Sequence, residues 1–561
     1  MFVENLKQEV YDVISTERVL VLVALDVDAV CACKIIKWLF QQDHVRYTVV
    51  PVLGQEDLVN AYAEHKDQIQ HFFLVNCGGN INLLNALDAN EESTFYIADS
   101  HRPLDLDNVY NQDQIKILIK EGDTFDEIPE FEKIFEDGDD DSSGQEDEDD
   151  DEGSEPSAKR QKTDISALEK RVKKKRWAGE RDKILFDYYE YAYYGSAAAV
   201  ILYELAWKLS KDNNDLLWWS IVGLTEQYMF SKIDREKYFE DAENLREHVL
   251  RHNMSDEKSS VSCMSISYEE ELHLSLYRHW TIFDSFCNSQ YTTCGLRLFT
   301  MKGKKKLHEM FADMGLPIVQ CQQKFSSMDV ELRNNVKEWI QNLSEKYGLE
   351  DLSYGSFVAQ YGYKTKVCAS DIVYSTTALL EYAKEGQSDS DHFLDAVDAL
   401  SRANSEKQEE GITLAKSQIV SLVGQVRSFI DTHQIVCGGP FLYAYAQEGT
   451  PNSHLFSKPA ALCRLARFTL AAYGVMTKNK KAKNLPFVLA VPYDIEKGTC
   501  LLVGVPPINE ESPKNFFGAA FHKAAESSKS RTHHDAFDPT VVEIKTEDRT
   551  KFFDALSALM V

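Results

Sequence analysis

The chain has 561 residues, more than one hydrophobic core organises, so several packed units are expected. Its formal charge of -29 includes 13 carboxylates between residues 136 and 155, leaving about -16 elsewhere (-29 + 13), which excludes a surface built throughout to grip phosphate backbones and confines any nucleic-acid contact to a local patch. Eleven scattered cysteines without a CxxC pair, no signal-peptide order and no apolar run approaching about 18 residues argue against secretion and against a membrane span.

Four apolar runs open the chain: RVLVLVALD (18 to 26), YTVVPV (47 to 52), HFFLVNCGG (71 to 79) and TFYIADSH (94 to 101). Helical patterns at about 29 to 41, 55 to 68 and 82 to 89 separate them, and this βαβαβαβ order predicts a parallel sheet covered on both faces. From about 121 to 158 the composition is acidic, polar and Ser/Gly-containing, which predicts disorder. Helical patterning resumes near 165 and runs through ILFDYYEYAYYGSAAAVILYELAWKLS and DLLWWSIVGLTEQYMF. Residues 235 to 430 read as mostly helical, with few convincing strands. The end of the chain alternates strands (IVCGGPFLYAYAQ, LPFVLAVPY, GTCLLVGVPP, TVVEIK) with helices at 458 to 477, 515 to 528 and 547 to 560. The fold class expected is therefore α/β, with an N-terminal parallel-sheet domain (1–120), an acidic insert (121–164), a helical remainder of the first domain (165–234), a mostly helical inserted unit (235–432) and a smaller C-terminal α/β domain (433–561).

Ligands of open parallel sheets bind beyond the carboxyl ends of the strands. The first strand ends in Asp26 and Asp28, the third in Asn76 before Gly78 and Gly79, and the fourth in Asp99, Ser100 and His101. Carboxylates and an imidazole converging on one crevice suit a divalent ion, although strand ends are polar in any case because they meet water. Cys31 and Cys33 lie beside the first of these ends, but residues two apart do not share a helix face, so packing thiols are the expectation. Lys159 and Arg160, followed after a spacer by Arg171, Lys173, Lys174, Lys175 and Arg176, have the two-part spacing of a nuclear import signal. Lys302, Lys304, Lys305 and Lys306 form a second basic run, suited to single-stranded DNA or an acidic partner, or simply a solvated turn. The acidic run reads as a solvated tether. Ser142 and Ser143 within it suit acidophilic kinases, and a histone-chaperone role is its rival reading.

The series DVDA, VNCGG and ADSH resembles the first three motifs of the DHH phosphoesterase superfamily, which includes the single-strand exonuclease RecJ, and Glu226 in IVGLTEQ falls where a fourth motif has an aspartate. NFFGAAFHKAA resembles that superfamily's associated C-terminal domain. The acidic insert, FADMGLPIVQCQQKF and GPFLYAYAQEGTP narrow the likeness to its eukaryotic replication-factor branch. That resemblance implies a non-catalytic scaffold that joins the minichromosome maintenance hexamer and the GINS tetramer in the replicative helicase, with no cofactor; the import signal adds nuclear location, and the groove between the α/β domains is a place for single-stranded DNA. Active superfamily members carry Asp-His-His in the third motif and an aspartate in the second, where this chain has Ser100 and Asn76. Asp26, Asp28, Asn76, Asp99, Ser100, His101 and Glu226 are thus expected to be a dismantled metal site. The alternative is an active metal-dependent single-strand phosphoesterase that tolerates both replacements.

Overall fold

The computed structural model describes residues 2–123, 128–135, 175–255, 264–361, 366–382, 386–401, 404–447, 449, 453–508 and 513–560. They fall into two compact units, residues 1–123 with 192–561 and residues 124–191. The smaller unit contains the helix Phe131–Ile134, where the rings of Phe131 and Phe135 stack at 5.0 Å, and a helix across 175 to 189. On that helix Arg176 pairs with Glu180 one turn on, at 3.1 Å. Lys175 is exposed beside it, whereas Lys159, Arg160, Arg171, Lys173, Lys174 and the acidic run with Ser142 and Ser143 lie outside the described residues.

In the larger unit, β1 (Arg18–Ala24), β2 (Arg46–Val52), β3 (His71–Val75) and β4 (Thr94–Ala98) are the four apolar runs, and all their pairings are parallel. Continuous apolar sequence forms these strands because helices cover both faces, so no position in the centre meets water. The two-residue strand β5 (His101–Arg102) leaves the end of β4, and β6 (Ile115–Ile117) adds a fifth, parallel edge. The order β2-β1-β3-β4-β6 reverses direction between β1 and β3, and a crevice opens at such a point beyond the carboxyl ends. The register Val23↔Val75↔Ala98 brings those ends to one level.

The helical run expected from 165 onward is interrupted. Residues Tyr193–Tyr194 form β7, antiparallel to β5, before the helix Ala198–Lys208 begins. Gly195 makes the break possible: its N–H donates to Ser100 O at 2.7 Å, and a Cβ there would lie 2.9 Å from the Arg102 guanidinium carbon. The helices Val27–Gln42, Ala198–Lys208 and Asn214–Met229 then pack on one another beside the sheet.

The middle of the chain contains a sheet that hydrophobic patterning passed over. The strands β8 (Met264–Leu272), β9 (Ser353–Tyr361) and β10 (Lys366–Cys368) pair antiparallel in the order β10-β9-β8. Three consecutive glutamates hide β8, two of which meet cations: Glu269 pairs with Lys366 at 2.7 Å and Glu271 with Arg278. The intervening helices, among them Met301–Asp313 and Val330–Ser344, close over Phe286, Met310, Phe311 and Ile340.

The last sheet comprises β11 (Val436–Cys437), β12 (Leu442–Tyr445), β13 (Phe487–Pro492), β14 (Thr499–Val505), β15 (Thr532–His533) and β16 (Val541–Lys545), in the order β11-β12-β13-β14-β16-β15, with only β12 and β13 parallel. Side chains alternate across it: Phe487, Leu489 and Val491 face the helix Pro459–Met476, while Val488 and Ala490 face the helices Phe517–Ser528 and Arg549–Leu559. This C-terminal lobe closes on the first sheet. Asp535 O accepts from Gln55 N at 2.8 Å, Asp535 Oδ1 from Glu56 N at 2.8 Å, and Phe537 O from Asn80 Nδ2 at 2.6 Å.

Candidate functional site

The crevice is built from strand ends. After β1 the chain turns at Asp26, whose carboxylate caps the helix Val27–Gln42 by accepting from Ala29 N at 2.8 Å. Asp28 lies in that helix's first turn and is buried. Its two oxygens accept from the backbone amides of Ala198 and Ala199 at 2.8 and 2.9 Å, at the start of the helix Ala198–Lys208, where unpaired N–H groups favour an anion. Gly223 lets the helix Asn214–Met229 approach, since a Cβ there would lie 2.7 Å from Asp28 Oδ1. Burial, then the Asp26 charge, raises the Asp28 carboxyl to about 6 against the pull of these hydrogen bonds.

Asn76 follows β3 in the left-handed region, at φ +51°, a conformation that asparagine tolerates. Its Oδ1 accepts from Ser100 N at 3.0 Å, which turns its amide nitrogen towards the acids. Nδ2 donates to Asp26 Oδ1 at 3.1 Å and to Asp28 Oδ2 at 2.9 Å. A neutral NH2 therefore lies between the two carboxylates, in the place that a bridging cation needs.

Asp99 and His101 satisfy each other. Asp99 Oδ2 accepts from Gly79 N at 2.8 Å, and Oδ1 accepts from His101 N at 2.9 Å and lies 2.7 Å from His101 Nδ1. Burial opposes both charges, yet each holds the other: Asp99 is kept below the usual carboxylate range and His101 above the usual imidazole value. Ser100 is buried between them, with its backbone engaged by Asn76 and Gly195. Glu226 is buried at the end of its helix and pairs with Lys232 at 2.8 Å, so the site's cation is a side chain. Burial raises the Glu226 carboxyl to about 7 against the attraction of Lys232.

All seven residues of the expected site thus meet at one crevice. Sequence reasoning missed Lys232, which reaches Glu226 only because Ser231, at φ +54°, turns the chain back after the helix ends. It also missed Tyr194, over whose ring Lys232 lies at 5.0 Å, and the amides of Ala198 and Ala199, which no local pattern ties to Asp28. Tested against a two-ion centre, the donor set does not fit: Asp28 is filled by amides, Asp99 by His101 and Gly79, and Glu226 Oε1 by the Lys232 ammonium, with Glu226 Oε2 buried and without a hydrogen-bond partner. Among the described residues, no group of three or more His, Cys, Asp and Glu side chains is arranged to hold a metal ion. Cys31 and Cys33 are buried, and burial pushes the Cys33 thiol up to about 12, so both are packing residues rather than ligands.

A cleft of about 170 Å³ opens in front of these residues and is shared with the C-terminal lobe. Asp26, His101, Glu226 and Lys232 line one side and Lys458, Arg464, Arg467 and Phe537 the other. Its cations are already engaged: Arg464 with Glu381, Lys458 with Asp389 at 2.9 Å, and Arg467 with the carbonyls of Phe230 and Ser231. The second basic run lies elsewhere, on the helix Met301–Asp313, where Lys302, Lys304 and Lys305 are exposed and Lys306 donates to Tyr347 O at 2.5 Å.

The family model described as CDC45 matches residues 19–559. The chain is 46% identical over 568 residues to the Cell division control protein 45 homolog of Homo sapiens and to that of Mus musculus, each alignment covering 100% of both chains. Its fold is similar to the crystal structure of CDC45 from Entamoeba histolytica, with a TM-score of 0.70, 23% identity and 100% of both chains covered.

Proposed function

This chain belongs to the CDC45 family, and from that premise we propose that it acts in DNA replication as a non-catalytic scaffold subunit of the replicative helicase, joining the minichromosome maintenance hexamer to GINS and touching single-stranded DNA. The observation that carries the non-catalytic part is Asn76. Metal-dependent hydrolysis needs carboxylates free to bridge ions and to lower the pKa of an attacking water. Here the Asn76 amide donates to both Asp26 and Asp28, so oxygens of both carboxylates are occupied by hydrogen bonds. The retained fold then serves shape, which fold-level reasoning permits because activity resides in sites rather than in folds.

Reconstitution tests the scaffold. The chain, the hexamer and GINS, mixed in pairs and together, are assayed for co-elution and for ATP-driven unwinding of a forked duplex. Unwinding should require all three components, and unwinding that is equal without this chain contradicts the proposal. Nuclear location rests on the basic segment at 159 to 176. Changing Lys173, Lys174 and Lys175 to Ala should leave a reporter fusion cytoplasmic, and an unchanged nuclear signal removes the assignment.

A further inference from the structure

The cations of this acidic chain are unevenly placed. Acidic residues number 90 in 561, yet none occurs from Gly449 to Tyr493, a stretch holding Lys458, Arg464, Arg467, Lys478, Lys480, Lys481 and Lys483. The first three line the cleft and have the partners given above. The last four lie within six residues, just beyond the carboxyl end of the helix Pro459–Met476. All four are exposed, and among the described residues none of them meets a carboxylate.

Two structural explanations account for part of this cluster. Lysines near a helix carboxyl end favour the macrodipole, an effect that fades beyond the last turn and so reaches Lys478 better than Lys481 or Lys483. A solvated loop also tolerates charge, but four like charges this close repel one another and gain nothing from the fold. The loop is nevertheless built rather than slack. Thr477 Oγ1 accepts from Asn479 N at 3.2 Å, Asn479 Oδ1 accepts from Lys481 N at 3.1 Å, and Asn484 N donates to Lys481 O at 3.2 Å. Ala482 is buried in the same core as Phe487 and Leu489, which pins the loop between its lysines. A fixed turn that presents four unpaired ammonium groups to solvent is a preorganised site for a flexible polyanion. All four cations of the loop are lysine, whose compact ammonium binds phosphate as a point charge without a fixed orientation, as a sequence-independent backbone contact needs.

We infer that the Lys478–Lys483 loop is a sequence-independent contact for the phosphodiester backbone of single-stranded nucleic acid. This inference deepens the single-strand contact included in the proposed function and rests on it. The test uses the full chain and a fluorescent oligothymidylate, titrated across a series of potassium chloride concentrations. Each neutralised phosphate contributes about 0.7 to the slope of log affinity against log salt for a single strand, so four contribute about 2.8. Changing Lys478, Lys480, Lys481 and Lys483 together to Ser should weaken low-salt binding by at least tenfold and reduce the slope by about 2 to 3. The fourfold change to Arg, which keeps the charge, should retain the wild-type slope, and an unchanged melting temperature in both variants excludes misfolding. Wild-type binding that the Ser variant reproduces within twofold overturns the loop assignment alone. Loss in the Arg variant equal to that in the Ser variant also overturns it, since charge then is not the determinant. If the wild-type chain fails to bind the oligonucleotide at low salt, both this assignment and the single-strand contact of the proposed function fall.

Discussion

Asn76 illustrates how one side chain redirects a site. Its neutral amide donates to both Asp26 and Asp28, so the two acids are tied together by hydrogen bonds at this position. The folded chain retains protons on Asp28 up to about pH 6 and on Glu226 up to about pH 7, both above the values of free carboxyls, while His101 is raised by Asp99. A raised carboxyl costs stability as it ionises, and a raised imidazole loses its stabilising contribution as it deprotonates. Asp28 therefore costs stability as pH rises from 3.8 to about 6 and Glu226 from 4.5 to about 7, whereas the His101 contribution is complete below 6.5 and is lost as pH rises above it. Asn76→Asp should deepen this trend. A third carboxylate facing Asp26 and Asp28, where the neighbouring Lys232 ammonium is already paired with Glu226, is predicted to cost about 1–3 kcal/mol at pH 8. Its folded pKa is raised, so the cost is present above that pKa and disappears as pH falls. Thermal melting of variant and wild type should therefore differ at pH 8 and converge at pH 5, and an equal gap at both pH values contradicts this reading of the site.

The helix Asn214–Met229 approaches this site at a position without a side chain. Gly223 lies against Asp28 and Ala199, so Gly223→Ala sets a helix-propensity gain of about 1 kcal/mol against contacts of 2.7 and 2.8 Å. Overpacking should win, with a net loss of about 1–3 kcal/mol. Gly474, on the helix Pro459–Met476, has nothing within 4 Å of an added Cβ, so Gly474→Ala should instead stabilise by about 0.5–1 kcal/mol. Chemical denaturation of both variants decides the matter, and opposite signs to these contradict the packing described. The elements most legible in the sequence were β1 to β4, because strands buried on both faces are continuous apolar runs. The site residues that follow them were legible for the same reason: Asp26, Asn76 and Asp99 are the first polar groups after each run. The antiparallel sheet of β8 and β9 was not, because Glu269, Glu270 and Glu271 break the apolar signal, and the cations that two of them meet, Lys366 and Arg278, lie outside the strand. Lys232 was equally hidden, since its approach to Glu226 depends on a left-handed turn at Ser231 that carries no glycine to mark it.

For the whole molecule, the C-terminal lobe closes the crevice, and Gly54 is the tight point: a Cβ there would lie 2.2 Å from an Asp535 carboxylate oxygen. In the crevice it covers, Asp28, Asp99 and Glu226 have partners within the chain, while a lysine loop without carboxylate partners among the described residues faces solvent on the same lobe. A scaffold accounts for both features, because it needs a rigid body and exposed contact surfaces rather than a reactive centre. The measurement that tests this most directly is Mn²⁺-dependent digestion of a 5′-labelled single-stranded oligonucleotide, comparing the wild-type chain with an Asp26→Ala, Asp99→Ala double variant. Both should leave the oligonucleotide intact. Cleavage by the wild type that the double variant lacks would contradict the account and place the chain among active phosphoesterases.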